Sequence, residues 1–485
     1  MKPYGVALAW LLVGAQVAES QPTTAGRGDF TANLRRPVAI AGHETERFSL
    51  AERMAHYRVP GVSVAVIEHC RVVDARGFGS AAPGGNAVTP RTLFQAGSIT
   101  KTFTAIAALR LVQQGVLSLD RDVRQGLTSW RLPDSPLLTR RSVTLRGLLS
   151  HRAGINQEGG VGYAVGAPLP SLLDILEGRP PATNPPIRVV SPPGAAWQYS
   201  GGGYYIVQAL MQDATGMAYP RLVERLVLRP LHIRDSRISQ PLDPRLVPFA
   251  ARAAGPDGSP LDAGWRVNPE LAASGLWATP SDVARLTIAI ARAARGDSHR
   301  FLGRVAAREL MARGLGNWGL GVELGRPGGA RRFGHTGHNT GYSSEYVMYP
   351  DSCQGAFVMT NADEGVPLAS ELLRAIGDTY GWPERVAPTV QAAIPLTETI
   401  AARFVGTYRL RDFPAERFVI SRRPGGLYWA RAGHVGRDLM AQTEGRLFSP
   451  DSRMTLEVAD LGVDRAQTLS LSFGGGTNVA ERVRD

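Results

Sequence analysis

Strand-like runs stand at both ends of a long helical stretch. This arrangement predicts a mixed α/β (α+β) unit: one sheet flanked by helices, interrupted by a helical insertion. The first strands are 62–67 and 72–78, apolar and β-branched, joined through Glu68-His69-Cys70 as a hairpin. Strand character returns at 318–324, 331–336, 344–349 and 355–361, so the two ends have to share a sheet. A second observation predicts a second domain. Beyond a proline- and alanine-rich stretch, short alternating strands recur with turns every eight to twelve residues or so, as in a small all-β barrel. They fall at 404–408, 418–421, 427–430, 439–442, 447–449, 454–458, 468–473 and 478–483. The expected division is 1–20 signal peptide, 21–45 flexible lead-in, 46–382 α/β unit, 383–397 linker and 398–485 barrel-like β-domain.

The amino terminus reads as a secretory signal. Lys2 precedes the apolar run 6–13, and Ala18-Glu19-Ser20 offers small residues for cleavage before Gln21. The run is short for a bilayer span and no other long apolar run occurs, so no transmembrane segment is expected after cleavage. A secreted or periplasmic location follows, and Cys70 and Cys353 then meet an oxidising compartment.

Further elements follow in order. Ile99, Phe103, Ile106, Leu109 and Val112 recur at helical spacing, with Gly115 as a stop. Thr144 caps a short helix through Leu149, ended by Ser150-His151-Arg152-Ala153-Gly154. A proline-stiffened loop leads to Trp197-Gln198-Tyr199-Ser200-Gly201 and a helix over 204–214, stopped by Gly216. Thr279-Pro280-Ser281-Asp282 starts another helix, with Val283, Leu286, Ile290 and Ala294 as its apolar face. A last helix spans 368–380.

The net charge of +12 raises the question of nucleic acid. The arginines are dispersed, no basic block exceeds two residues, and no nucleic-acid-binding motif is present, so no nucleic-acid partner is expected. No His/Cys/Asp cluster has metal-ligand spacing, and neither a metal nor another cofactor is expected.

The chemistry centres on Ser98-Ile99-Thr100-Lys101. A serine and a lysine three apart become neighbours on a helix, and the lysine can hold or take the serine proton. Lys2 and Lys101 are the only lysines, so the mature chain keeps one. Arginine serves wherever a bare positive charge suffices. It cannot give up its proton, whereas a buried lysine can, and a base role explains the exception. Tyr199, on a glycine-rich loop, can act as base or relay beside a lysine. His335-Thr336-Gly337 ends a strand, and Gly337 would let a substrate backbone approach. His151 is read as a structural histidine bonded to a backbone carbonyl.

Together, Ser98-x-x-Lys101, Tyr199-Ser200-Gly201 and His335-Thr336-Gly337 resemble the three boxes of the class C β-lactamase, penicillin-binding protein and D-aminopeptidase superfamily. The stretches Val59-Pro60-Gly61-Val62, Leu148-Leu149-Ser150-His151 and Tyr346-x-x-Tyr349-Pro350-Asp351 agree with it. The resemblance covers roughly residues 50 to 380. It implies Ser98 as acylated nucleophile, with Lys101 and Tyr199 as general-base partners. It also implies an oxyanion hole from the backbone N–H groups of Ser98 and His338, and substrate contacts at Thr336 and Gly337. No G-x-S-x-G elbow points to an α/β-hydrolase instead.

Two departures refine the expectation. Gly201 stands where the second box usually ends in asparagine, removing a side-chain amide. His335 stands where true β-lactamases carry lysine, so a fixed charge for a substrate carboxylate is missing. The His-x-Gly form resembles D-aminopeptidases and related esterases, which often carry C-terminal β-barrels. The sequence thus predicts a secreted serine hydrolase acting on a small-molecule, peptide or ester substrate. The alternatives are a β-lactamase or D,D-carboxypeptidase, and a slow-turnover penicillin-binding or sensor protein. In the family's sheet the first and last strands are antiparallel neighbours, which implies a Cys70–Cys353 disulfide.

Overall fold

The computed structural model describes residues 28–297, 300–458, 462, 464–473 and 476–483. The expected signal peptide lies outside the described residues.

Both ends of the α/β unit do share one sheet. Its six strands are all antiparallel, in the spatial order Arg71–Gly79, Gly61–Glu68, Gln354–Thr360, Tyr342–Tyr349, Phe333–Asn339, Glu323–Leu324. The strand Gly61–Glu68 is apolar on both pleat faces because both are covered. Val62, Val64 and Val66 pack with Leu368, Leu372 and Ile376 of helix Gly365–Tyr380. Ala65 and Ile67 face the larger core, which holds helices Thr100–Gln113 and Pro280–Arg295.

Helix Thr100–Gln113 is more deeply placed than its one-faced periodicity suggests. Every residue from Thr100 to Leu109 is buried, threonines included. Thr102 Oγ1 and Tyr346 Oη are hydrogen-bonded at 2.9 Å, and Thr104 Oγ1 donates to the Ala272 carbonyl at 2.6 Å. The expected caps form: Thr144 Oγ1 accepts from Gly147 N–H and Thr279 Oγ1 from Asp282 N–H. Gly216 ends helix Gly202–Thr215 in the left-handed region.

Several expectations are corrected. From residue 28 onward the lead-in packs on the α/β unit, with Phe30 and Leu34 buried against helix Gly365–Tyr380 and its neighbours. Val38–Ile40 pairs in parallel with Thr389–Gln391, so the expected linker carries a strand. Residues 318–324 are strand only at Glu323–Leu324, because Leu315–Asn317 turns and directs Trp318 inward. The third box does not end its strand. Pairing with Tyr342–Tyr349 continues through Gly337, His338 and Asn339.

The carboxy-terminal region is a closed, eight-stranded antiparallel barrel running from Gly406–Leu410 to Gly476–Arg482. The stretch 398–404, of which only Phe404 is expected in a strand, is helix Glu398–Phe404, capped by Thr397. Ile400, Ala401 and Phe404 enter the barrel core.

Barrel and α/β unit meet at a buried ion cluster. Asp451, from the barrel, accepts from Arg53 Nη2 at 2.8 Å. Arg53 also forks onto Glu371 through Nε and Nη2, both at 2.8 Å. Among the described residues no helix is long and apolar enough to cross a membrane.

Cys70 and Cys353 form a disulfide, their Cα atoms 5.0 Å apart and 283 residues apart in sequence. The register places them together: Ile67 pairs with Gly355, and the two adjoining turns meet at the same sheet edge. Denatured, unreduced protein from an oxidising compartment should titrate no free thiol, and reduction should lower unfolding free energy by roughly 2–4 kcal/mol. Two titratable thiols per chain would contradict the bond. Asp451→Ala, which leaves Arg53 buried without one partner, should cost about 3–5 kcal/mol in urea unfolding. An unchanged midpoint would remove the cluster's structural role.

Candidate active site

Ser98 lies in a 3₁₀ turn, Gly97–Ile99, that feeds directly into helix Thr100–Gln113. The sequence places it in the first helical turn; it sits just ahead of that turn. Gly97 makes the geometry possible. Its φ is +52°, and a Cβ there would lie 2.5 Å from His338 N. Gly337 is glycine for a matching reason: a Cβ would lie 2.0 Å from the Ala96 carbonyl oxygen. The residue expected to admit a substrate backbone instead admits the serine turn.

Lys101 is 2% exposed. Its Nζ donates to Ser98 Oγ at 3.0 Å and to the Ala273 carbonyl at 3.1 Å. The rings of Tyr199 and Tyr204 flank it, their centroids 5.1 and 5.5 Å from Nζ. No carboxylate pairs with it among the described residues.

Tyr199 is held by packing. His151 lies tilted against it, centroids 4.3 Å apart, and Trp318 stands 5.7 Å away. Ser200 fixes the loop: its N–H donates to His151 Nδ1 at 3.1 Å and its Oγ to the Asn156 carbonyl at 2.9 Å. His151 is therefore an acceptor from a backbone N–H, not the carbonyl partner expected. Its pKa lies well below the ordinary value, through burial first and the Lys101 and His335 charges second, so the ring is neutral.

His335 joins this cluster, its ring 5.0 Å from Trp318 and 6.4 Å from Tyr199. Nδ1 donates to the Thr336 carbonyl, which leaves Nε2 as a bare acceptor without a protein partner among the described residues. Burial, then the Lys101 charge, lowers its pKa to about 3. It carries no charge near neutrality. Thr336 leaves the pleat on the other face. It pairs with Glu345, which binds Ser370 of helix Gly365–Tyr380, whereas His335 pairs with Tyr346, which binds Thr102. The Thr336 side chain is thus on the face away from Ser98. His338 is exposed, its Nε2 3.0 Å from Asp363 Oδ1, and its backbone abuts Gly97.

Beyond Gly334 the outer edge of strand Phe333–Asn339 has no strand partner among the described residues. That edge meets the serine turn at His338, and its Thr336 carbonyl is engaged by the His335 ring.

A family model described as Beta-lactamase matches residues 49–380. The chain belongs to the beta-lactamase family. It is 25% identical over 421 residues to penicillin-binding protein 4* of Bacillus subtilis (strain 168), covering 81% of this chain and 88% of that protein. It is 32% identical over 191 residues to esterase EstB of Burkholderia gladioli, covering 37% of this chain and 47% of that protein. The solved structure of D-amino acid amidase from Ochrobactrum anthropi SV3, complexed with L-phenylalanine, matches with TM-score 0.56 at 21% identity, over 68% of this chain and 96% of that one. At that identity the likeness shows the fold.

Within this beta-lactamase-family site, Gly201 has a local cause. Its N–H donates to the Glu158 carbonyl at 3.0 Å, and a Cβ would lie 2.7 Å from that oxygen. The 156–160 loop occupies the space an asparagine would need. Sequence reasoning missed Trp197 and Trp318, which stack 5.7 Å apart behind Tyr199 and His335. Trp197, two residues before Tyr199, was the available signal; Trp318 was hidden in an expected strand. The Ala273 carbonyl had no signal, since any residue supplies one.

A ring kept neutral by the fold is protonated more readily in the unfolded chain. The His335 contribution is complete above the unfolded pKa of 6.5 and is lost as pH falls toward about 3. Relative to His335→Asn, the native protein should therefore lose about 1.4 kcal/mol of stability per pH unit below that value. Parallel stability curves for the two proteins between pH 7 and about 4 would show that His335 is not held neutral.

Proposed function

We propose that this protein is an exported serine hydrolase that cleaves amide or ester bonds in substrates lacking a free carboxylate beside the scissile bond. The observation that carries the substrate class is His335, buried and neutral at the position where a cation would anchor a carboxylate. The relation to an esterase over 191 residues supports the ester side of the reading.

In this mechanism Ser98 Oγ attacks the carbonyl carbon. Its proton passes to Lys101 Nζ, 3.0 Å away, which acts in this step as an unprotonated amine. Tyr199, beside Lys101, relays the proton to the leaving amine or alcohol as the C–N or C–O bond breaks. The carbonyl oxygen, negative in the tetrahedral state, is met by the backbone N–H groups of Ser98 and His338. Water then attacks the acyl-enzyme, gives its proton to the same base, and releases Ser98. The free edge of strand 335–339 orients the substrate chain through backbone hydrogen bonds, which fits the outward turn of the Thr336 side chain. The relation to penicillin-binding protein 4* over most of the chain favours one second reading, acylation by β-lactams with slow release.

Intact-mass analysis after fluorophosphonate treatment should show one adduct, at Ser98, absent from Ser98→Ala. Lys101→Arg should lower kcat by about 10³-fold or more, because arginine cannot accept the proton. Equal labelling of Ser98→Ala would remove the nucleophile assignment. A D-amino-acid amide or short-chain ester should exceed its matching free acid in kcat/KM, and preference for the acid would overturn the substrate class. Stoichiometric, persistent acylation by a cephalosporin without turnover of amides or esters would establish the second reading instead.

A further inference from the structure

A short helix stoppers one end of the barrel. Phe404 of the short helix fills the end where strand Gly406–Leu410 begins, and Tyr408 Oη donates to its carbonyl at 2.8 Å. At the other end, where Leu410, Phe418 and Leu471 converge, lies a cavity of about 330 Å³. Its floor is apolar, with Phe418, Met454 and Leu471 buried. Phe473, 62% exposed, stands on its lip.

Strand alternation determines which polar groups face inward. Trp429 pairs across the sheet with Ile420, a core residue, so its indole points into the barrel. Its Nε1 is buried and has no hydrogen-bond partner among the described residues. A buried indole N–H ordinarily finds an acceptor. Arg437 pairs with Trp429, and Arg431 with Phe418, so both guanidinium groups share the inner face. Glu416 binds Arg431, and Glu364 binds Arg437 at 2.8 Å. Arg417, beside inward-facing Phe418, turns to the outer face, so the inner donors at this mouth are the Trp429 N–H and the Arg431 and Arg437 guanidinium groups.

We propose that this mouth is a binding site for a small apolar carboxylate. The apolar body fills the floor against Phe418, Met454 and Leu471. The carboxylate head accepts the Trp429 N–H and faces Arg431 and Arg437. The volume is at the small end of ligand sites, which suits one acyl chain or one aromatic acid. The assignment is independent of the reaction at Ser98.

Titration calorimetry of the full-length mature protein with dodecanoate, below its micellar concentration, tests the site. One saturable site per chain is expected, weakened roughly tenfold in Trp429→Phe, which removes only the N–H and little volume. Dodecyltrimethylammonium has the same chain and no acceptor, and it should not compete. Far-ultraviolet circular dichroism confirms that the variant is folded. If the variant does not fold, the anion–cation comparison on the native protein decides alone. Absence of saturable dodecanoate binding, equal binding of the cation, or undiminished binding by folded Trp429→Phe overturns the proposal.

Discussion

A buried lysine without a carboxylate is the constraint around which this structure is arranged. Lys101 has two neutral hydrogen-bond partners and two aromatic flanks, and two nearby histidines that burial and its charge keep neutral. An opposing carboxylate would stabilise the ammonium. Among the described residues, Lys101 meets aromatic surface and no carboxylate. The composition fits this, since beyond Lys2 arginine stands at every other Lys/Arg position.

Reaching that arrangement needs backbone surfaces to meet without side chains between them. Gly97 and Gly337 let the serine turn and the third-box strand touch, each leaving no room for a Cβ. Gly201 lets the 156–160 loop close over the second box. Lys101 donates its second hydrogen bond to a main-chain carbonyl, that of Ala273. Main-chain partners are placed by the fold, so they are as rigid as the helix turn that bears them.

Much of this was legible in the sequence. Strand runs with both faces apolar located the sheet, caps at Thr144 and Thr279 located helix starts, and eight alternating runs located the barrel. What escaped has physical reasons. Helix Glu398–Phe404 buries Ile400, Ala401 and Phe404 in about two turns, too little for a helical period to stand out. Phe30 and Leu34 lie in an otherwise polar stretch, where two apolar residues carry no periodic signal. The inward turn of Trp318 depends on a positive φ at Gly316, and local alternation around Trp318 reads as strand. His151 was assigned the wrong hydrogen-bond sense because sequence does not encode which loop N–H reaches a ring nitrogen.

The barrel's position is tied to the active-site strand by two consecutive carboxylates. Asp363 lies against His338 and accepts the Gly341 N–H at 2.7 Å, which orders the turn between the third-box strand and its neighbour. Glu364, the next residue, binds His434 at 3.0 Å and Arg437 at 2.8 Å on the barrel. One backbone step thus joins a contact to the segment that holds His338 with a contact to the barrel mouth. Asp451 fixes the same interface from the barrel side, through Arg53 and Glu371 on helices that pack against the sheet. The β-domain is thus anchored beside the strand that borders Ser98. Glu364, which lines its mouth, follows directly on Asp363, which supports the active-site strand.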